Sequence, residues 1–192
     1  MKVLFVNACV GKQSRTKILA DYLLKRIGGE IEEINLNKDK PEPFDDVLLE
    51  KRRALIERKK FDDEMFLYAQ KFAKADVIVV GAPFWDFSFP ALFKTFIEYV
   101  NVNGLVFKYT KTGVQTLCRA KKLYYVTTMG GYNPTDYGFG YVKALCEAMY
   151  GIKEVELVKA EGLDIVGNDV QAILEKAKKE IDKLSIFFDK GR

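Results

Sequence analysis

The sequence predicts an α/β protein with three layers: a five-stranded parallel sheet of strand order 2-1-3-4-5, covered by helices on both faces. The first observation is that apolar, β-branched runs such as residues 76–82 are typical of strands buried on both faces. The second is that helical patterns with one apolar face separate these runs, as the crossovers between parallel strands require. Ligands of such sheets bind at the carboxyl ends of the strands, so a site is expected in the loops that follow them.

The predicted elements follow one another regularly along the chain. Strands are predicted at residues 2–8, 30–36, 76–82, 122–128 and 154–160. Helices are predicted from the 14–16 segment to residue 27 and at 45–60, 62–75, 90–102, 138–150 and 170–188. Residues 105–117 have strand character and predict an excursion containing a short hairpin, and residues 129–134 predict a loop.

Local signals fix several of these boundaries. Gly28 and Gly29 end the first helix, because glycine readily adopts the left-handed conformation that terminates helices. Pro90 suits the first turn of a helix, where its missing N–H costs no hydrogen bond. Residues 30–36 alternate charged and apolar side chains, which is typical of a strand near a sheet edge. Residues 37–61 predict either a helical lid or a long connection.

Length and composition limit the possible functions. We expect one domain over residues 1–192, which is long enough for one sizeable core. The absence of histidine excludes Ser-His-Asp and Cys-His catalysis and most zinc enzymes, so difficult chemistry would come from a cofactor, with no metal expected. The net charge of +4 is too small to indicate a nucleic-acid partner. We expect free thiols, no membrane span and a cytoplasmic location.

The first candidate site is the polar loop that opens the first helix, with Ser14, Arg15 and Thr16. Main-chain N–H groups at a helix N-terminus attract phosphate, and the hydroxyls of Ser14 and Thr16 would donate two further hydrogen bonds. Serine is also a favoured helix N-cap, which leaves a purely structural role for Ser14 open. Neither a G-x-G-x-x-G nor a P-loop motif occurs, which disfavours a dinucleotide-binding Rossmann site and an NTPase.

The second candidate site is the loop after the third strand, where Pro83 is followed by Phe84, Trp85, Asp86 and Phe87. The aromatic side chains lie where a flat, partly apolar ligand would bind, and we infer that this ligand is a flavin. Main-chain donors of the loop would address the polar edge of the ring, while Phe84 and Trp85 cover one face. Two alternatives remain open: the aromatics fill the core or a subunit contact, and Asp86 caps a turn.

The third candidate site follows the fourth strand, where Thr128 and Met129 precede Gly130 and Gly131. Glycine permits a close approach of the backbone to a ligand. A tight turn without a ligand accounts for two glycines equally well. The loop is a candidate site because of its position, since it is predicted at the same edge of the sheet as the other two candidate loops.

Together these three loops resemble the FMN-dependent NADH-azoreductases, which belong to the wider flavodoxin-like NAD(P)H:quinone oxidoreductase family. The resemblance covers Lys2 to about Ala160 and is closest from Ala75 to Gly131. The residues that match the family's order and spacing are 76–79, Ala82, Pro83, Leu92, Lys94, Phe96, Gly104, Phe107–Thr110, Gly130 and Gly131. It implies a flavodoxin-like fold and a homodimer with one FMN per subunit near the interface.

The resemblance also assigns the cofactor contacts. The residues that match the family's phosphate loop are Cys9, Ser14, Arg15 and Thr16. The residues that match the loop under and beside the flavin ring are Pro83, Phe84, Trp85, Asp86 and Phe87. The residues that match the loop at the other edge of the ring are Thr128, Met129, Gly130 and Gly131. Three of these residues depart from the family pattern. Cys9 stands where a serine is frequent, Asp86 replaces the usual asparagine, and Met129 occupies a position that can be arginine. An anion at Asp86 would disfavour the reduced flavin anion.

The function that the resemblance implies is a ping-pong flavoenzyme. NAD(P)H gives a hydride to flavin N5, the nicotinamide leaves, and a quinone, azo compound or nitroaromatic takes its place and is reduced by two electrons. No catalytic side chain is expected, because the chemistry is at the flavin. We expect Phe107, Tyr109 and Tyr132 to form the substrate wall, with plain hydrophobic packing as the open alternative. The alternative functions are an FMN-binding electron carrier without NAD(P)H activity and a flavin-free interaction protein.

Overall fold

A five-stranded parallel sheet lies at the centre of the computed structural model, which describes residues 1–132, 135 and 137–186. The strands are β1 (Lys2–Asn7), β2 (Glu30–Asn35), β3 (Val77–Gly81), β4 (Phe107–Thr110), β5 (Gly113–Thr116), β6 (Lys122–Thr128) and β7 (Glu154–Ala160). The sheet has the order β2-β1-β3-β6-β7, and β4 and β5 form a separate antiparallel hairpin. This confirms the predicted order 2-1-3-4-5, with β6 and β7 as its fourth and fifth strands.

Helices cover both faces of this sheet. They are α1 (Arg15–Ile27), α2 (Leu36–Asp39), α3 (Asp46–Glu57), α4 (Leu67–Lys74), α5 (Ala91–Val100), α6 (Phe139–Leu145) and α7 (Val170–Lys183). Apolar residues of α1 and α7 pack on one face with Phe5 and Val79, whereas α4, α5 and α6 pack on the other with Leu4 and Val80. None of the helices among the described residues is long and apolar enough to cross a membrane.

Burial of the strands by helices on both faces of the sheet explains why the sequence patterns predicted these strands. All residues of β3 and β6 are buried, because helices lie above and below them. Strand β2, in contrast, has a neighbour on one side only and exposes Glu30, Glu32 and Glu33. Its charged pattern therefore marks the sheet edge, as predicted.

Among the boundaries that differ from the prediction, three concern α2, α4 and α7. Residues 36–39 form the short helix α2, which was missed, and Asn35 caps it by accepting a hydrogen bond from Lys38 N at 3.2 Å. The helix predicted at 62–75 begins with a 3₁₀ turn, Glu64–Phe66, so that α4 starts only at Leu67. The last helix, predicted to reach 188, ends at Lys183, and residues 187 and 188 lie outside the described residues.

The early end of α7 has a visible cause. The chain turns extended at Leu184, and the carbonyl of Ser185 accepts hydrogen bonds from Lys122 Nζ at 3.1 Å and Tyr124 Oη at 3.4 Å. Lys122 also lies 3.5 and 3.6 Å from the carboxylates of Glu154 and Glu156. These contacts draw the chain toward the start of β6 and compete with another helical turn.

The β4–β5 hairpin confirms the excursion predicted for residues 105–117. It projects from the amino-terminal edge of the parallel sheet. Leu117 N donates to Val106 O at 2.9 Å across the base of the hairpin. Lys121 N donates to Asp76 O at 3.2 Å, directly before β6 and β3 begin. The base is therefore one strand length, about 20 Å, from the loops that follow β3 and β6.

The three cysteines are free thiols, as predicted. Burial raises the pKa of Cys146 and Cys118 to about 12, and that of Cys9 to about 11. All three thiols therefore keep their protons at neutral pH and behave as small apolar groups in the folded chain.

We expect the free energy of unfolding to fall as the pH rises above 9. Thiols of the unfolded chain lose their protons near the ordinary pKa of 9.0, whereas the folded chain keeps them to higher pH, so alkali favours the unfolded state. Each thiol lowers the stability by about 1.4 kcal/mol per pH unit in this interval. Urea unfolding over this range measures the slope. Cys146→Ala should flatten it, and a slope equal to that of the unmodified chain would contradict the assignment.

Candidate functional site

Three loops meet at the carboxyl edge of the sheet and enclose a cleft of about 520 Å³. We call it the three-loop cleft, and its lining residues are Val10, Gly11, Lys12, Gln13, Ser14, Arg15, Thr16, Pro83, Trp85 and Thr128. They come from the loops after β1, β3 and β6. The structure thus brings six of the predicted contact residues to one cavity: Ser14, Arg15, Thr16, Pro83, Trp85 and Thr128.

The start of α1 supplies hydrogen-bond donors to this cleft. Ser14 is the N-cap of α1, and its Oγ accepts a hydrogen bond from Lys17 N at 3.3 Å. The hydroxyl proton of Ser14 is not used by that bond. The N–H groups of Arg15 and Thr16 belong to the first turn, where a helix has no internal acceptors for them. A phosphate at this position would find several donors and the positive end of the helix dipole.

A buried hydrogen bond ties the first loop to the third. The hydroxyl oxygens of Thr16 and Thr128 are 2.6 Å apart, and the two residues are 1% and 7% exposed. In any such pair one hydroxyl donates and the other keeps its own proton free. The pair can therefore donate one hydrogen bond to a ligand, whereas two independent hydroxyls would donate two.

Cys9 does not line the three-loop cleft. Its thiol donates to Gly81 O at 3.5 Å, and its N–H donates to Asn7 Oδ1 at 2.9 Å. The thiol thus joins the end of β1 to the end of β3, while the N–H bond closes a local turn after β1. The assignment of Cys9 to the phosphate contacts stays a prediction.

The second loop contains a strained turn. Trp85 N donates to Ser88 O at 3.1 Å and Ser88 N to Trp85 O at 2.8 Å, which closes a two-residue turn. Its central residues, Asp86 and Phe87, have φ of 49° and 64°. Left-handed conformations cost non-glycine residues roughly 1–2 kcal/mol each, and such strain is concentrated at functional sites. The turn leaves Trp85 46% and Phe87 56% exposed at the mouth of the cleft.

The third loop is held from behind by the segment after β7. Gly162 N donates to Gly131 O and Asp164 N to Gly130 O, each at 2.9 Å. Arg15 Nη1 in turn donates to Asp164 Oδ1 at 2.8 Å and to Leu163 O at 3.1 Å. The hydrogen bond from Arg15 lowers the pKa of Asp164. Asp164 thus connects the phosphate end of the cleft with the glycine loop, a role that no sequence motif indicated.

Phe84 and Met129 face a separate, smaller cavity of about 80 Å³ between the sheet and α6. Met129 is 6% exposed, so its side chain is directed away from the three-loop cleft. The hydroxyl of Thr127, in the same small cavity, has no hydrogen-bond partner among the described residues. Phe84 and Met129 do not line the three-loop cleft, and their contact with a cofactor stays a prediction.

The three residues predicted for the substrate wall occupy different places. Tyr132 is 69% exposed at the cleft edge of the sheet, and its ring lies against Gly162. Phe107 is 4% exposed and packs in the core, which favours the alternative of plain hydrophobic packing for this residue. Tyr109 is 62% exposed, but it lies on the hairpin at the opposite edge of the sheet.

The comparison with known proteins agrees with this architecture. A family model described as the flavodoxin-like fold matches residues 1–184. The chain belongs to the flavodoxin-like fold family. The azoreductase of Bacillus anthracis strain Sterne superposes with a TM-score of 0.80 at 25% identity, covering 96% of this chain and 100% of that one.

Two relatives in sequence are named FMN-dependent NADH:quinone oxidoreductases. The second such protein of Clostridium acetobutylicum is 39% identical over 129 residues, which cover 62% of this chain and 64% of that relative. The protein of Caldicellulosiruptor bescii is 29% identical over 202 aligned positions, which cover 96% of this chain and 98% of the relative. The chain therefore spans less than two thirds of the first relative's length and nearly all of the second's.

The three-loop cleft of this flavodoxin-like protein has the donors for a phosphate at one end and a flat apolar wall at the other. Ser14, the first-turn N–H groups and one threonine hydroxyl supply the polar end. Pro83 and the half-exposed indole of Trp85 supply the apolar wall. The residues present therefore fit a phosphorylated ligand with a planar ring.

Gly130 and Gly131 offer a matched pair of substitutions. A Cβ on Gly130 would collide with the carboxylate of Asp164, whereas a Cβ on Gly131 would meet nothing within 4 Å. We expect Gly130→Ala to displace Asp164, to weaken binding of FMN to the apoprotein about tenfold and to lower stability by no more than about 1 kcal/mol, because the displaced carboxylate ends an exposed, flexible side chain. Gly131→Ala should change either quantity far less.

The double variant Gly130→Ala, Asp164→Ala tests whether the collision with Asp164 causes the effect of Gly130→Ala. Removing the carboxylate removes the collision, so the double variant should recover stability relative to Gly130→Ala alone. Urea unfolding and flavin fluorescence titration measure the two effects. Equal behaviour of the Gly130 and Gly131 variants would refute the role assigned to Asp164.

Proposed function

We propose that this protein is an FMN-dependent NAD(P)H oxidoreductase that reduces quinones, azo compounds or nitroaromatics by a ping-pong, two-electron mechanism. One observation carries the proposal: the loops after β1, β3 and β6 line a single cleft that is polar at the α1 end and aromatic at the other. The names of the relatives from Clostridium acetobutylicum and Caldicellulosiruptor bescii support the same activity.

FMN bound in this cleft would supply the hydride-accepting and two-electron chemistry, with N5 as the proposed accepting atom. The chain's own residues bind and orient it. The Ser14 hydroxyl and the N–H groups of Arg15 and Thr16 hold the phosphate, and the Thr16–Thr128 pair adds one more donor. Arg15 adds positive charge at this end while it stays paired with Asp164.

At the ring end, Pro83 and Trp85 cover one face of the flavin. The closing hydrogen bonds of the strained turn use the N–H groups of Trp85 and Ser88, which leaves those of Asp86 and Phe87 to donate to the ring's polar edge. Gly130 and Gly131 let the backbone approach the other edge. The residues would lower the barrier by positioning, because a stacked geometry brings the hydride donor close to the accepting atom of the ring. The acceptor takes its proton from solvent.

The position of Tyr109 supports the proposal of a homodimer. The hairpin leaves the sheet about 20 Å from its own cleft, so Tyr109 reaches a substrate only if a second copy brings the hairpin to that cleft. Tyr132 then forms the substrate wall from within the chain, and Tyr109 from the partner. The cytoplasmic location stays a prediction.

Two half-reactions test the oxidoreductase. Under anaerobic conditions, we expect NADH or NADPH alone to bleach the visible absorption band of the oxidised flavin in the FMN-loaded protein. A benzoquinone added afterwards should restore it. Bleaching by dithionite but by neither nicotinamide nucleotide would contradict the enzyme and favour the electron carrier. A protein that takes up no FMN would refute both.

Ser14→Asp tests the phosphate end without losing the helix cap. Aspartate caps helices as well as serine does, so the fold should keep its stability. Its negative charge would repel the phosphate, and we expect FMN affinity to fall at least 100-fold while riboflavin affinity changes little. Ser14→Gly, which also keeps most of the capping energy, should weaken FMN only several-fold. Equal loss of FMN and riboflavin would place the phosphate elsewhere.

Sedimentation at equilibrium measures the proposed dimer. We expect the mass of two chains at micromolar concentration, and a rise of several-fold in the KM for the acceptor in Tyr109→Ala with little change in FMN affinity. Val114→Ala is the matched control, because Val114 pairs with Tyr109 in the hairpin and is also exposed. A monomer, or a Tyr109 variant that behaves like the control, would refute this arrangement.

A further inference from the structure

A second groove opens on the other side of the loop after β1, between that loop and the carboxyl end of β2. We call it the β2 groove, and its volume is about 880 Å³ compared with about 520 Å³ for the three-loop cleft. Gly11, Lys12, Gln13 and Ser14 line both. A nucleotide-sized ligand needs several hundred cubic ångströms, so the groove is large enough for one.

A fixed carboxylate stands at one side of this groove. Glu33 Oε1 accepts hydrogen bonds from Asn7 Nδ2 at 2.7 Å and Asn35 Nδ2 at 3.1 Å. Asn7 is 2% exposed and lies beside Asn35 in the β1–β2 register. Both amides use the same oxygen, which leaves Oε2 without a partner among the described residues. In the related dinucleotide-binding Rossmann fold, a carboxylate at the end of the second strand accepts hydrogen bonds from ribose hydroxyls.

The charges of the groove fit a phosphorylated ligand. Lys12, Lys17 and Lys38 line it together with Asp21 and Glu33, so cations outnumber anions. Lys17 is neutralised by Asp21, with Nζ 2.6 Å from Oδ1. The ammonium groups of Lys12 and Lys38 make no ion pair within the described part of the chain, and they are available to a phosphate.

An apolar surface lies between these polar groups. Ile18, on α1, lines the groove and is 44% exposed, although most of the other lining residues are charged or carry amides. A branched aliphatic side chain of this kind provides a face on which a purine base can rest. The groove thus combines a diol acceptor, two free cations and an apolar face.

We propose that the β2 groove binds an adenosine 5′-diphosphate unit, with Glu33 on the ribose hydroxyls, Lys12 and Lys38 on the phosphates and Ile18 under the adenine. The competing explanation is that Glu33 only joins the ends of β1 and β2. That explanation accounts for the two amide hydrogen bonds but gives no role to the unpaired lysines or the exposed isoleucine. Two sources carry this unit, FAD and the nicotinamide dinucleotides, and here the inference rests on the proposed function.

Calorimetric titration of the FMN-loaded protein with ADP tests the groove. We expect saturable binding, a loss of at least fivefold in affinity in Glu33→Gln and in Lys38→Ala, and no change in Glu32→Gln. Glu32 is the matched control, because it lies on the same strand but is paired with Lys71 at 2.9 Å. Lys38→Ala removes an ammonium without touching the Glu33 hydrogen bonds. Absence of ADP binding, or equal affinities in all variants, would overturn the proposal.

Two further titrations identify the source. If apoprotein binds FAD more tightly than FMN, and Glu33→Gln removes only that difference, then the unit is that of FAD. If FAD and FMN bind equally and Glu33→Gln weakens NAD⁺ binding to the FMN-loaded protein, then the unit is that of the nicotinamide nucleotide. Either result supports the groove, and insensitivity of both ligands to Glu33 refutes it. Normal FMN uptake alongside such a failure would leave the proposed oxidoreductase intact.

Discussion

The hydrogen bond between the hydroxyls of Thr16 and Thr128 is the contact on which the candidate site depends. It joins the first turn of α1 to the end of β6 inside the protein, where water does not compete. A neutral hydrogen bond contributes only about 1 kcal/mol net, but loss of one partner would leave the other hydroxyl buried and unsatisfied. The two loops therefore move together. A ligand that binds one of them also meets the other in a fixed position.

The other ties around the cleft add to this coupling. Arg15 reaches the segment after β7, and that segment holds Gly130 and Gly131 through main-chain hydrogen bonds. The exposed ion pair between Arg15 and Asp164 contributes little to stability by itself. Its consequence is geometric, because it fixes which way Asp164 covers Gly130. The strained turn at Asp86 and Phe87 works against stability. In return, it leaves the N–H groups of these two residues free to donate to a ligand.

Most of the fold could be predicted from local patterns, because a strand buried on both faces leaves a continuous apolar run. Strand β6 was predicted with its observed ends for this reason, and β2 was recognised as an edge by its glutamates. The end of α7 could not be predicted, since it depends on Lys122 and Tyr124, about 60 residues earlier in the chain. The same limit applies to the site. Loop positions follow from strand order, but the contact of Arg15 with Asp164 spans 149 residues. The inward directions of Cys9, Met129 and Phe107 likewise depend on neighbours that no local pattern reveals.

The loop after β1 lies between two cavities, and this position limits what either can bind. Residues 11–14 line both the three-loop cleft and the β2 groove, so their polar groups serve whichever ligand phosphate is nearer. Two separate phosphorylated ligands would place like charges a few ångströms apart, which costs roughly 1–4 kcal/mol at the effective dielectric of a protein surface. A covalent diphosphate avoids part of that cost, because its charges are already held together in the free ligand. The shared loop therefore couples the two cavities, because a phosphorylated ligand in one lowers the affinity of the other for a second phosphorylated ligand.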